Sequence, residues 1–191
     1  MTMATILTTN RLTLRPLETG DAGPIERLAG DKEVADTTLN MPHPYPAGAA
    51  VPFIQARREA AGRGDGYSFA VTRTDDDAFL GIVGLHIQKI HHMAEIGYWI
   101  GKPYWGNGYC SEAAARVLAF AFDDLRLNRV YAAAMTRNPA SSRVMEKIGM
   151  TFEGVLRQHI RKGDAYEDLR YYGIVRTDRL NDFTESGDKA E

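Results

Sequence analysis

Gly101–Ala114 reads GKPYWGNGYCSEAA. Gly106 and Gly108 stand just ahead of a helical pattern in which Ala114, Val117, Leu118, Ala121 and Leu125 share one face of Ser111–Leu125. Glycines before a helix start let backbone N–H groups approach an anion closely, and the helix dipole favours negative charge there. The same two glycines also suit a flexible turn, so the stretch alone leaves both readings open. Two nucleotide-binding motifs are excluded. A P-loop needs Gly-Lys followed by Ser or Thr, whereas Gly108 is followed by Tyr109 and Cys110. A dinucleotide fingerprint needs a third glycine where Ser111 stands.

Upstream lie three strand patterns, YSFAVTR, FLGIVGLHIQKI and MAEIGYWI, separated by the polar turns TDDDA and HH, which read as an antiparallel meander. Downstream, RVYAAAM is a short buried strand, so the glycine stretch opens the helix of a strand-helix-strand unit. Asn138 then takes a cap position, Pro139 the first helical position and Gly149 the C-terminal stop of a short helix. FEGVLRQHIR and YEDLRYYGIVR flank KGDA as a long hairpin. At the start, RLTLRPL alternates like a half-buried strand, and Asp21–Ala29 and Ala49–Ala61 read as helices. Between those helices, DTTLNMPHPYPAG carries three prolines and reads as a loop on the substrate rim.

The 191 residues fit one domain over residues 1–180, followed by a polar, flexible tail over 181–191 with little to bury. Twenty-three basic against twenty-five acidic residues leave a net charge of −2, so no global field draws the chain to nucleic acid or an anionic membrane. There is no signal-peptide pattern and no apolar run of spanning length, so a cytoplasmic location is expected. Cys110 is the sole cysteine, which excludes an internal disulfide and a thiolate metal cluster. His91 and His92 are adjacent in a turn with no ligand at useful spacing, so no metal site is expected.

The succession of strand, WGNGYCSEA, helix, strand and NPASSRVMEKIGM resembles the GNAT acetyltransferase superfamily, RimJ/RimL type, and the resemblance covers nearly the whole chain. It implies an α+β single-domain GNAT fold: a twisted, mixed, mostly antiparallel sheet of about seven strands with four or so helices, its central strands splayed into an acetyl-CoA cleft. It implies that Trp105, Gly106, Asn107, Gly108, Tyr109, Cys110 and Ser111 cradle the cofactor pyrophosphate, while the strand edge at Tyr98, Trp99 and Ile100 meets the pantetheine arm. The family usually has Gln or Arg where Trp105 stands and Ala or Gly where Cys110 stands, but backbone donors survive both changes. Cys110 is read as a small residue under the cofactor rather than a reactive thiol.

Acetyl transfer to an amine needs a base, donors for the developing oxyanion and an acid for the thiolate. The resemblance implies Glu95 as base, although a strand carboxylate is equally suited to solvent or a salt bridge. Gly97 permits a kink that frees an amide of Tyr98–Ile100 for the oxyanion. Where many relatives carry an acidic tyrosine this chain has Met145; Ser141 matches the RimJ/RimL serine and Asn138 would bond the pantetheine amides. Both also suit a plain helix start. The expected acceptor is a protein N-terminal amine, with a small amine or amino acid as alternative, entering between Asn40–Tyr45 and a hairpin whose Asp164, Glu167 and Asp168 would attract a cation. A homodimer is a family-level expectation. A non-catalytic acyl-CoA binding module, or an interaction protein with a structural glycine turn, are the rival classes.

Overall fold

The computed structural model describes residues 5–179; the expected tail at 181–191 lies outside them. In chain order the elements are β1 Leu7–Thr8, β2 Leu12–Pro16, α1 Ala22–Ala29, α2 Lys32–Thr37, α3 Ala50–Arg63, β3 Gly66–Arg73, β4 Phe79–Gln88, β5 Met93–Ile100, α4 Tyr109–Asp123, β6 Arg129–Met135, α5 Pro139–Lys147, β7 Thr151–Lys162 and β8 Ala165–Val175. The strands form one sheet in the order β1-β2-β3-β4-β5-β6-β8-β7. Eight strands stand where about seven were expected, the addition being the two-residue β1. The helix α2 was also missed; Asp31 caps it by accepting the Glu33 N–H at 2.8 Å.

Alternation along the strands sends side chains to two cores. On one face α4 lays Ala113, Ala114, Val117, Leu118 and Ala121 against Leu12, Leu14, Val83 and Ile96. Each fully buried valine, leucine or isoleucine side chain there stabilises the fold by about 1.5–3 kcal/mol. Phe120 adds edge-to-face contacts with Tyr67 and Phe69 at 5.3 and 5.8 Å. On the other face Leu17, Ile25, Leu28, Ala50 and Ile54 cover Ala70, Phe79 and Ile82 with α1 and α3.

Neighbouring strands are antiparallel except β5 and β6, whose parallel pairing needs the crossover that α4 provides. That pairing covers only Met93↔Arg129, Ala94↔Val130 and Glu95↔Tyr131. Beyond it, Ile96–Ile100 stay paired to β4 alone and Ala132–Met135 to β8 alone. The sheet therefore opens as a V with Glu95 at its apex, and α4 begins just past the open end of β5.

Candidate active site

The loop between β5 and α4 is built to present backbone donors. Gly106 and Gly108 adopt φ of +78° and +79°, left-handed values that side chains with a Cβ resist. A Cβ at Gly106 would meet nothing within 4 Å, so the space above it is open. Trp105 pins the loop to the end of β5 by donating its indole N–H to the Ile100 carbonyl at 2.6 Å. Asn107 braces it from within, its amide donating to the carbonyls of Tyr104 and Trp105. The first backbone bond of α4 runs from the Glu112 N–H to the Gly108 carbonyl, and Gly108 provides no side-chain cap. Among the described residues, the N–H groups of Gly106–Ser111 find no protein acceptor. Six donors at the positive end of a fifteen-residue helix fit a pyrophosphate. Arg11, which the sequence reading passed over, adds positive charge: its guanidinium lies over the Tyr109 ring at 4.7 Å, pairs with Glu112 at 2.6 Å, and stands 3.6 Å from where a Gly108 Cβ would be.

Cys110 packs against the α4-side core, and burial pushes its thiol up to about 12, so it carries a neutral S–H. Tyr109 packs beside it and Ser111 is half-buried in the first turn. Trp99 turns its side chain to the α1/α3 core, its ring 6.2 Å from that of Phe79, so only its backbone lies at the cleft.

At the apex, Glu95 is half-buried and burial raises its pKa, opposed by the charge of His86 directly across β4. It shares its face with Tyr131, opposite it in the parallel pair, and with Tyr171, whose ring stacks on Tyr131 at 6.2 Å. Two residues along, Gly97 is exposed and leaves open space where a side chain would stand. On the opposite face Tyr98 crosses the V to α5. Its hydroxyl lies 3.1 Å from both the carbonyl and Oγ of Ser141, and burial raises its pKa well above the usual phenol value. Met145, which stands where many relatives carry a tyrosine, is buried in the core.

Asn138 caps α5 by accepting the Ser141 N–H at 3.2 Å and donates its amide to the Thr37 carbonyl at 3.0 Å. Its side chain therefore ties α5 to α2. Of the hairpin carboxylates, Glu167 pairs with Arg137 and the exposed Asp164 with Arg161, while Asp168 accepts the Gln158 N–H and has no cationic partner among the described residues. No group of His, Cys, Asp and Glu among the described residues is arranged to hold a metal, and no helix there is long and apolar enough to cross a membrane.

An open parallel pair, a donor-lined helix start and a carboxyl at the apex together make a cleft of the kind an acyl-CoA-dependent transferase needs. Residues 11–151 match the acetyltransferase (GNAT) domain family, and the chain belongs to that family. It is an N-acetyltransferase that takes its acetyl group from acetyl-CoA. The chain is 33% identical to the uncharacterized N-acetyltransferase YoaA of Bacillus subtilis over 91% of its own length and 98% of that protein. It is 29% identical to the ribosomal-protein-serine acetyltransferase of Escherichia coli over 58% of this chain and 62% of that one. A crystal structure of spermidine N-acetyltransferase from Vibrio cholerae in complex with CoA and spermine superposes with a TM-score of 0.78, at 25% identity, covering 91% of this chain and all of that one.

Proposed function

We propose that the acceptor is the α-amine of a protein N-terminus, with Glu95 taking the amine proton and Ser141 returning one to the departing thiolate. Bound acetyl-CoA supplies an acetyl thioester. The cradle at Gly106–Ser111 holds the diphosphate by charge-assisted backbone bonds, each contributing about 1.5–3 kcal/mol. Glu95 sits at the closed end of the V with a carboxyl whose proton affinity burial has raised toward that of a working base. A backbone amide of Tyr98–Ile100 in the unpaired edge faces the developing oxyanion. Tyr98, kept protonated by burial, donates to Ser141 Oγ, which leaves the serine's own proton free to face the departing thiolate.

The observation that carries the N-terminal reading is the open floor at Gly97 beside Glu95: a chain end can lie there with its amine at the carboxyl and its body outside. The pairing of Glu167 with Arg137 weakens the acidic lure that a polyamine would need on the hairpin. The likeness to a ribosomal-protein-serine acetyltransferase supports the same side. The test is acetyl-CoA turnover, followed as thiol release, across N-terminal peptides, polyamines and free amino acids. Turnover confined to polyamines or amino acids would overturn the reading.

A further inference from the structure

A cavity of about 340 Å³ lies against His86, the cross-strand partner of Glu95, and none of the residues assigned to acetyl transfer lines it. Its wall is α3, which contributes Arg57, Ala60 and Arg63; its floor is Ser68 of β3 and His86 of β4. The spacing of the three α3 residues puts them on one side of that helix, and the small Ala60 between two arginines leaves the room. His86 joins the cavity to the apex, because it lines the one and stands directly across the strand pair from Glu95.

The floor between is bare. Ser68, Gly84 and Gly97 are consecutive partners across β3, β4 and β5, so one row of the sheet carries a single small side chain next to the row of Gly66, His86 and Glu95. A shallow trough thus runs from Glu95 to α3 across two strand spacings, roughly 10 Å, about the length of three extended residues.

The charge at the far end is positive. Arg57 is exposed and, among the described residues, makes no salt bridge; its guanidinium rests on the Phe53 ring at 5.1 Å. The one acidic residue lining the cavity, Asp65, is already held between Arg63 at 2.8 Å and Lys89 at 2.7 Å. An arginine held on an aromatic face keeps its planar fork of donors for a carboxylate.

We infer that this cavity is a subsite for a carboxylate side chain on the second or third residue of the acceptor peptide, with Arg57 as its principal donor. The inference rests on the N-terminal reading above. A free amino acid is too short to span from Glu95 to Arg57, and a polyamine would bring its second cation against an arginine.

The experiment compares three tetrapeptide amides that share an N-terminal alanine and a C-terminal phenylalanine and carry two aspartates, two asparagines or two lysines between them. Wild-type kcat/KM is expected to favour the aspartate peptide over the asparagine one by on the order of tenfold. Arg57→Gln should bring that ratio close to one, and Arg57→Glu should move the preference to the lysine peptide. Arg57 is exposed on α3, so neither change threatens the fold. Peptides acetylated at equal rates, or an aspartate preference that survives both variants, would overturn the subsite while leaving the N-terminal reading intact. Acetylation of none of the three would remove that reading and the subsite together.

Discussion

Tyr98 of β5 and Ser141 of α5 meet across the open end of the sheet, hydroxyl to hydroxyl at 3.1 Å, although they come from opposite arms of the V. The contact makes the serine's orientation depend on a strand forty-three residues away. Tyr98→Phe keeps the ring in the core and removes only the hydroxyl, so kcat is expected to fall roughly tenfold, with Ser141→Ala falling at least as far. If the two act as one unit, the double variant falls no further than Ser141→Ala alone. Steady-state kinetics on all four proteins measures this; fully multiplicative losses would show that they work independently.

Glu95→Gln removes the proposed base and keeps the shape. Turnover is expected to drop about 10²- to 10⁴-fold. In the wild type, kcat/KM should fall on the acid side of a pKa above the ordinary glutamate value, because burial raises it, and the variant's residual rate should lack that limb. A stability signature accompanies it. The folded protein binds the Glu95 proton more tightly than the unfolded chain does, so stability is lost as pH rises through the folded pKa. Glutamine never ionises, so Tm at pH 7.5 is expected to exceed that of the wild type, and the difference should vanish near pH 4. A pH-independent Tm difference would mean that the carboxyl is not the group being relieved.

Much of this arrangement was legible along the chain because it is written in short-range signals. The glycines at 106 and 108, the cap at Asn138, the stop at Gly149 with its φ of +85°, and the alternation of MAEIGYWI each act within a few residues. β1 and α2 escaped because neither carries enough residues to show a period: β1 is two residues defined by its pairing with β2, and α2 is six residues ahead of a proline-rich loop. The partners of the site escaped for a different reason. Arg11 meets Glu112 across 101 positions and Lys162 meets Thr38 across 124, so no local pattern marks either contact. Asn138 was legible as a cap, but its donation to Thr37 was not, since α2 had not been recognised.

Gly108→Val tests the cradle. A β-branched side chain at φ +79° costs the fold roughly 1–2 kcal/mol, and it also places methyl groups beside Arg11 at the mouth of the donor array. Since several charge-assisted bonds depend on that loop, CoA affinity is expected to fall by more than the loss of stability accounts for. Gly106→Ala refines the test, because its Cβ would enter space the protein leaves open. Calorimetric titration with CoA should show both variants weakened; unchanged affinity in both would put the diphosphate elsewhere.

Lys162, at the end of β7, reaches back to the start of the proline-rich loop, donating to the Thr38 carbonyl at 2.7 Å and approaching that of Met41 at 3.5 Å. Backbone carbonyls, and no salt-bridged carboxylate among the described residues, hold the ammonium there, and partial burial lowers its pKa. With Asn138 gripping Thr37 from the other side, the segment that leads into the proposed acceptor rim is fixed at two adjacent residues. Lys162→Ala deletes one of those anchors without touching the cradle or Glu95. KM for the acceptor is expected to rise several-fold while CoA affinity stays near that of the wild type, because the rim, and not the cofactor loop, is what loosens. Lys162→Arg, which can still donate to both carbonyls, should recover most of the loss. A change in CoA affinity of the same size as the change in acceptor KM would show instead that Lys162 supports the whole cleft.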